Sequence, residues 1–329
     1  MKSTLYPLQF EPIFKPKIWG GDKIRTVLGK DFGSASNCGE SWEISGVKGD
    51  FTRVNAGPLA GKSLHELFEQ YGSSLVGNRV FRDSPHEFPL LIKFLDARED
   101  LSIQVHPNDE QAMRMHGCKG KTEMWYVLDA DEGATLISGF NRDTTREAYL
   151  KALADGELMS LLNREQVEAG DVFFLPSGRI HTIGAGLLIA EIQQTSDITY
   201  RIYDFDRTDD QGNKRELHND KAVEVLDFNN RAPYKTAYTD DVNKVVQLVK
   251  AQYFETNKIT FDMKVTRNFQ DLDSFVIYIC TGGACTLEAA GNEVFLALGD
   301  TVLVPAEAVA TIQLSPESAC QLLETYVPV

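Results

Sequence analysis

A weak internal repeat divides this 329-residue chain into two comparable parts. Residues 170–176 read Gly-Asp-Val-Phe-Phe-Leu-Pro and align without gaps to residues 299–305, which read Gly-Asp-Thr-Val-Leu-Val-Pro. Upstream, the apolar run 125–128 aligns with 277–280, a register that sets Glu123 against Phe275. Repetition of a strand, a Gly-Asp turn and a second strand ending in proline predicts a duplicated β unit. We therefore expect two similar β domains, the first spanning residues 1–230 and the second residues 231–329.

Most of the remaining sequence also reads as short strands separated by Gly, Pro, Asn and Asp turns. Helices are few, and one is marked by Ser63 and Glu66 in capping-box spacing, with a glycine at residue 72. The segment 145–162 carries an apolar stripe that predicts one or two further helices. The chain is therefore predicted to be mainly β, with a small helical insertion at 145–162. Predicted strands span residues 41–47, 90–95, 123–128, 172–175, 187–193, 275–280 and 301–304, and predicted helices span 63–71 and 108–116.

Charge and cysteine content argue against several classes of protein. The chain carries 33 basic and 48 acidic residues, a net charge of −15, which argues against nucleic acid or an anionic membrane as a partner. No run of about 18 apolar residues predicts a membrane span, and the N-terminus lacks the apolar core of a secretion signal. Five cysteines, an odd number, predict free thiols in a reducing cytoplasm. No oligomeric state is predicted.

The first copy of the repeat contains a motif that the second copy lacks. Residues 170–181 follow the pattern Gly-x5-Pro-x-Gly-x2-His, which resembles the second signature motif of cupins. In that frame a turn precedes a strand that points His181 into a barrel, whereas the aligned residue of the second copy is Ala310. The prediction is two cupin-type jelly-roll barrels, of which only the first keeps polar groups in its mouth.

Three further side chains are predicted to face the same point as His181. Gln104 and His106 lie two residues apart, so both point to one face of a strand, and Glu123 opens another predicted strand. Two imidazoles, a carboxylate and an amide oxygen suit a divalent ion such as zinc, with a coordination position left for water or substrate. The residues therefore predict a metal site. The other four histidines are expected on the surface: His65, His86, His116 and His218.

A charged segment follows the strand after His181. Glu191 shares a strand face with Gln193, and Arg201 and Arg207 come soon after in an aromatic-rich stretch. Beside a metal site, a carboxylate and two guanidinium groups suit a polar, anionic substrate. We expect a positively charged pocket in an otherwise acidic surface.

Together these motifs resemble the type I mannose-6-phosphate isomerases, also called phosphomannose isomerases, which belong to the cupin superfamily. The resemblance rests on Leu-Ser-Ile-Gln-Val-His-Pro at 101–107, Lys-Thr-Glu-Met-Trp at 121–125, His181 in its frame and the segment 191–207. The segments 17–21 and 39–45 also look like that family, so the resemblance covers about residues 6 to 210. The small helical segment 145–162 is similar to that of the shorter bacterial members.

The resemblance implies one zinc ion per chain and a hexose phosphate as the small-molecule substrate. It places Arg201 in the active site. Mannose 6-phosphate and fructose 6-phosphate would then interconvert through an enediol, with Glu191, Lys121 or a zinc-bound water as the base. The implied zinc ligands are Gln104, His106, Glu123 and His181, and the implied contacts of the sugar phosphate are Ser102, Lys121 and Arg207.

Two other functions fit part of the same pattern. Two histidines and one carboxylate with open coordination positions also suit iron, so an iron-dependent cupin oxygenase is one alternative. A non-catalytic sugar-binding cupin protein is the other. Oxygen consumption by the iron-loaded protein would favour the oxygenase, whereas the retention of Arg201 beside the metal set argues against a purely binding protein.

Overall fold

The computed structural model describes residues 5–208 and 211–328. Within these residues the fold is mainly β, as predicted, and its antiparallel strands form four larger sheets and two two-stranded ones. None of the helices in the described part of the chain has the length and apolar composition needed to span a bilayer.

The bounds of the elements follow in chain order. The first half contains β1 (Phe10–Glu11), β2 (Ile13–Lys15), α1 (Lys23–Thr26), β3 (Glu40–Ile44), β4 (Gly46–Val47), β5 (Asp50–Phe51), β6 (Arg53–Val54), α2 (Leu64–Tyr71), α3 (Ser73–Val76), α4 (Asn78–Asp83), β7 (Leu90–Ala97), β8 (Ile103–Val105), α5 (Asp109–His116), β9 (Glu123–Ala130), β10 (Thr135–Phe140), α6 (Arg146–Ala154), β11 (Leu162–Gln166), β12 (Val172–Leu175), β13 (His181–Ile183), β14 (Leu187–Gln194), β15 (Tyr200–Tyr203) and α7 (Asn219–Val225). The second half contains β16 (Lys244–Lys250), β17 (Glu255–Phe261), β18 (Val265–Asn268), β19 (Val276–Gly282), β20 (Ala284–Ala289), β21 (Asn292–Ala297), β22 (Thr301–Val304), β23 (Thr311–Pro316) and β24 (Cys320–Tyr326). Short 3-10 helices occur at Leu158–Leu161 and Ala306–Ala308.

Each half is built from a pair of sheets. In the first half the strand orders are β11-β10-β13-β8-β15 and β12-β9-β14-β7-β3-β2, and their inner faces share an apolar cluster that includes Trp125 and Ile183. In the second half the orders are β16-β17-β24-β19-β22 and β18-β23-β20-β21, around a cluster that includes Tyr278 and Leu287. Closure of each pair into a cupin-type barrel, and the domain boundary after residue 230, stay predictions.

The six-stranded sheet of the first half has both faces buried. All eight residues of β14 are buried, which explains its nearly continuous apolar sequence. Ile189 belongs to the apolar cluster inside the first half. Ile192, on the opposite face of β14, belongs to a cluster that also contains Phe275 and Ile277 of the second half. Across this boundary the rings of Phe88 and Phe275 lie 4.6 Å apart. The second half therefore covers an apolar surface of the sheet that carries part of the site.

The internal repeat is confirmed as two equivalent strand pairs, but its upstream register is wrong by one residue. Both Gly-Asp turns place glycine at positive φ, +95° at Gly170 and +90° at Gly299, where a side chain would strain the backbone. In the second half Val276 faces the inner cluster, whereas Phe275 faces the first half. Because a slip of one residue exchanges the two faces of a strand, the counterpart of Glu123 is Val276 and not Phe275.

The predicted strands and helices are confirmed, with small shifts at their ends. The predicted strand 41–47 is divided into β3 and β4, because the Ser45 N–H leaves the ladder and donates to Thr52 Oγ1 at 3.0 Å. The predicted insertion 145–162 consists of α6, a 3-10 turn and the first residue of β11. Helix α5 ends at Gly117 in the left-handed conformation, as the glycine there predicts.

The capping box of α2 leads to a prediction about stability. Ser63 Oγ accepts a hydrogen bond from the Glu66 N–H at 3.2 Å, and Glu66 Oε2 accepts one from the Ser63 N–H at 2.7 Å. The Ser63→Ala variant should lower the free energy of unfolding by about 1 kcal/mol, because one helix N–H loses its acceptor. Urea denaturation measures this difference. The exposed Ser34→Ala variant is the control, and equal midpoints for the two variants would contradict the prediction.

Candidate active site

A cavity of about 270 Å³ is lined by residues from both sheets of the first half. Cationic side chains outnumber carboxylates in this lining, which agrees with the predicted positive pocket in an acidic chain. The cations are Lys17, Lys93, Lys121, Arg201 and Arg215, and the carboxylates are Glu40, Glu191 and Asp197.

Three buried side chains from separate strands meet beside this cavity. Ligand atoms of His106, Glu123 and His181 all lie within 4.8 Å of one another. Glu123 Oε1 is 3.3 Å from His181 Nε2, and Glu123 Oε2 is 3.7 Å from His106 Nε2. The face pattern in the sequence thus brings together three of the four side chains expected at the metal site. We call these three residues the His-Glu-His cluster.

The pairing of the strands explains this convergence. His181 on β13 and Arg201 on β15 are both direct cross-strand neighbours of Gln104 on β8. Directly opposed residues point to the same face of a sheet, so these three side chains form one row. In the other sheet Glu191 on β14 lies between Trp125 on β9 and Lys93 on β7. The two rows face the same cavity.

Hydrogen bonds to backbone carbonyls set the tautomers of both histidines. His106 Nδ1 lies 2.7 Å from the oxygen of Ile198, and His181 Nδ1 lies 2.8 Å from the oxygen of Arg179. Because a carbonyl oxygen only accepts, each Nδ1 carries the proton and each Nε2 presents a lone pair toward Glu123. Burial lowers the pKa of His181 to about 4 and the pKa of His106 well below its ordinary value, so both rings are neutral at pH 7.

The cluster fits a divalent cation. His106 Nε2 and both carboxylate oxygens of Glu123 are buried, and none of them makes a hydrogen bond of good geometry with the described residues. Lys121 Nζ forms an ion pair with Glu123 Oε2 at 2.8 Å. Buried lone pairs without partners are costly, and a cation bound between the two imidazoles and the carboxylate would satisfy them. Gln104 is adjacent, with its Nε2 atom 3.3 Å from His181 Nε2.

Glu191 and Lys121 lie next to the cluster and face the cavity. Glu191 Oε1 is 3.5 Å from Lys121 Nζ and accepts a hydrogen bond from Trp125 Nε1 at 3.3 Å. Burial, reinforced by the negative charge of Glu123, raises the pKa of Glu191 to about 7. Burial alone would lower the pKa of Lys121, but Glu123 and Glu191 outweigh it and raise that pKa above its ordinary value. Lys121 is therefore a charged ammonium at neutral pH.

Arg201 and Ser102 line the cavity, whereas Arg207 does not belong to its lining. The guanidinium of Arg207 donates to the backbone oxygen of Asp100, and its Nη2 donates to Asp204 Oδ1 at 2.6 Å. Of the side chains expected at the substrate, Ser102, Lys121, Glu191 and Arg201 lie on the cavity wall, and Arg207 does not; their roles stay predictions.

Comparison with known proteins identifies the family. The family model described as "Phosphomannose isomerase type I, catalytic domain" matches residues 7–139. The probable mannose-6-phosphate isomerase GmuF of Bacillus subtilis is 40% identical over 256 residues, which cover 77% of this chain and 79% of that protein. The chain belongs to the type I phosphomannose isomerases. It is therefore a member of an isomerase family, as the sequence motifs predict.

Longer matches extend the relationship to this family over nearly the whole chain. The mannose-6-phosphate isomerase of Streptococcus mutans is 36% identical over 300 residues, which cover 91% of this chain and 92% of that protein. A crystal structure of the mannose 6-phosphate isomerase from Bacillus subtilis superposes with a TM-score of 0.87 at 33% identity, covering 97% of this chain and 99% of that one. The second half is thus shared with other phosphomannose isomerases.

Sequence reasoning missed several charged residues in the cavity of this phosphomannose isomerase, and Lys93 is the most deeply buried of them. The Lys93 side chain is only 4% exposed, and Nζ lies within 3.9 Å of Glu40, Glu191 and Asp197. Lys93 also lies over the Trp42 ring, 4.6 Å from its centroid. A signal was present: this lysine interrupts the apolar run 90–95, where an unpaired charge would be very costly.

One of the four histidines expected on the surface, His218, is partly exposed and also contacts the strand that carries Arg201. The side chain of His218 is 22% exposed, and its Nδ1 accepts a hydrogen bond from the Arg201 N–H at 3.2 Å. His218 therefore packs against the strand that carries Arg201. Its charged flanking residues gave no indication of this contact, because the contact depends on how the loop after β15 folds back.

Proposed function

We propose that this chain interconverts mannose 6-phosphate and fructose 6-phosphate through an enediol, with one zinc ion per chain. The observation that carries the proposal is the His-Glu-His cluster beside a cavity rich in cations, because His106 Nε2 and the Glu123 oxygens are buried there without a hydrogen bond of good geometry. Relatives in Bacillus subtilis and Streptococcus mutans, both named mannose-6-phosphate isomerases, support this substrate.

His106, Glu123 and His181 would hold the zinc, with Gln104 beside them as the fourth ligand. Neutral imidazole nitrogens and a carboxylate oxygen are common zinc ligands, and a site without thiolates is typical of catalytic zinc. When bound, zinc would act as a Lewis acid toward the substrate oxygens and stabilise negative charge that develops there.

Glu191 is the base that we propose for proton transfer between C2 and C1 of the open-chain sugar. Its carboxylate faces the cavity, and Trp125 Nε1 fixes its orientation. A single carboxylate that reaches both carbons can remove the proton from C2 and return it to C1. Lys121, a charged ammonium 3.5 Å from Glu191, is suited to donate a hydrogen bond to a substrate oxygen.

Arg201 and Ser102 are proposed to bind the substrate. The guanidinium keeps its proton, so Arg201 acts through its positive charge and its hydrogen bonds. Ser102 is buried and lies on the cavity wall, where its hydroxyl can bond a sugar hydroxyl. Together they would hold the reacting carbons in place over the cluster, and such positioning contributes strongly to rate.

A coupled assay for fructose 6-phosphate formation tests this function. The purified protein should convert mannose 6-phosphate, lose that activity on chelation and regain it with added zinc, with about one metal per chain by elemental analysis. Unchanged activity in fully metal-free protein would overturn the role of the metal. Absence of conversion by zinc-loaded protein would overturn the substrate, and oxygen consumption by the iron-loaded protein would favour an oxygenase.

We propose the cytoplasm as the location of this enzyme and a small hexose phosphate as its partner. All five cysteines are free thiols, and four of them are buried. Free thiols of this kind are typical of a reducing compartment.

A further inference from the structure

We propose that Arg215 binds the phosphate group of the substrate together with Arg201. This inference rests on the proposed function and deepens it, because it names a substrate contact that the sequence motif alone assigns to Arg207. Four observations carry it: the position of Arg201, the hydrogen bonds of Arg215, those of Arg207, and the charge balance around Asp204.

Arg201 is placed at the correct end of the site for a phosphate. It lies two strands from His181 in the row through Gln104, about 10 Å away at the usual strand spacing. The phosphate of a hexose 6-phosphate is remote from C1 and C2, so its ligands are expected at a distance from the metal cluster. The buried Nε of Arg201 has no hydrogen-bond partner among the described residues, and this donor is available to a ligand.

Arg215 presents a second, oriented guanidinium to the same cavity. Its Nε donates to Asp204 Oδ2 at 2.7 Å, and its Nη2 donates to Asp204 Oδ1. This two-point contact fixes the plane of the group, while Nη1 has no partner in the part of the chain that the structure describes. The side chain of Arg215 is 28% exposed, so a ligand entering from solvent can reach it.

Arg207 has no free guanidinium nitrogen to offer a phosphate in this arrangement. Its Nη1 donates to the backbone oxygen of Asp100, its Nη2 to Asp204 Oδ1 and its Nε to the backbone oxygen of Asp204. All three nitrogens are thus engaged by protein oxygens, and Arg207 does not line the cavity. Arg207 is a positioning residue that holds Asp204 in place for Arg215.

The charges around Asp204 favour an anion. Burial alone would raise the pKa of Asp204, but hydrogen bonds from Arg215 and Arg207 hold it below its ordinary value, so the carboxylate is ionised. Burial and the nearby guanidinium of Arg215 lower the pKa of Arg201. Two guanidinium groups, those of Arg207 and Arg215, therefore share the Asp204 carboxylate, and the guanidinium of Arg201 adds a third positive charge nearby. Of these three arginines, Arg201 and Arg215 line the cavity.

Backbone contacts bring these two arginines together. The His218 N–H donates to the Arg201 carbonyl at 2.7 Å, and the Arg201 N–H donates to His218 Nδ1. Arg201 Nη1 also donates to the Glu216 carbonyl at 2.9 Å. The segment 215–218 is thereby fixed along β15, which positions Arg215 beside Arg201 and does not leave it in a free loop.

The test compares Arg215→Gln with the wild-type protein in the isomerase assay and in calorimetric binding of inorganic phosphate. Loss of a charge-assisted hydrogen bond should raise KM for mannose 6-phosphate and Kd for phosphate by about ten- to hundredfold. The bound metal should be unchanged, and kcat should change less than KM. Arg215→Lys, which retains the charge, should recover part of both affinities. Lys214→Ala is the matched control, because the Lys214 side chain is 63% exposed and, among the described residues, its ammonium group pairs only with Asp206.

Three outcomes would overturn the inference. The first is a wild-type KM and phosphate affinity in folded Arg215→Gln. The second is an equal loss of affinity in Lys214→Ala, and the third is a larger rise in KM for Arg207→Gln than for Arg215→Gln. If the wild-type protein did not isomerise mannose 6-phosphate, the proposed function would fail. The calorimetric measurement with inorganic phosphate would still test whether Arg215 binds phosphate, because that measurement requires no turnover.

Discussion

The His181→Ala variant is expected to lose its bound metal and its isomerase activity together. Removal of one of three converging ligands leaves Glu123 and His106 with one fewer partner, and the affinity for metal should fall at least about 100-fold. Elemental analysis after dialysis and the coupled assay measure the two losses on the same sample. Circular dichroism of the same sample checks that the variant remains folded, because His181 is only 1% exposed and its removal leaves a cavity.

The matched control for this variant is His86→Ala, which removes an exposed imidazole outside the cavity. It should retain metal and activity. A His181→Ala protein that stayed metal-loaded and active would show that the His-Glu-His cluster is not the metal site. Loss of the metal with full activity would show that the His-Glu-His cluster is not needed for isomerisation.

The Arg201→Ala variant is expected to retain its metal and to lose turnover by about 100-fold. Arg201 does not belong to the His-Glu-His cluster, but it lies in the row that leads to it, so its loss would leave the reacting carbons poorly positioned. Steady-state kinetics should show a lower kcat as well as a higher KM, in contrast to Arg215→Gln, where KM changes more.

Arg231→Ala provides the comparison for Arg201→Ala. Arg231 is paired with Asp227 at 3.0 Å on the surface, and its removal should leave kcat unchanged. Near-normal turnover in Arg201→Ala with intact metal would remove Arg201 from the mechanism.

The fold could be predicted largely from local sequence. Strands such as β7 and β14 have both faces buried, so they read as mostly apolar runs between turns, without a regular alternation of polar and apolar residues. The helices were marked by Ser63 and Asn108 at their N-caps and by glycines beyond their ends. Register was harder, because the alternation that fixes it is missing from strands that are apolar on both sides. This explains the one-residue error at Glu123.

The candidate site was predictable where it depends on strands and not where it depends on loops. Gln104, His106, Glu123 and His181 lie on or beside strands, and the two-residue period sets their faces. The choice between Arg207 and Arg215 depends on a turn. Phe205 and Asp206 both adopt positive φ, 55° and 57°, which reverses the chain and directs Arg207 back onto Asp204. Consecutive left-handed residues without glycine carry no recognisable sequence pattern.

Strand β14 is buried on both faces, and it connects the candidate site in the first half to the packing of the second half. Glu191 projects into the cavity, and its neighbour Ile192 rests in the cluster shared with Phe275 and Ile277. A mutation in that shared cluster can tilt the strand and move the carboxylate without touching the substrate. Residues of the second half, where alanine stands at the position aligned with His181, therefore help to fix the position of Glu191 without lining the cavity.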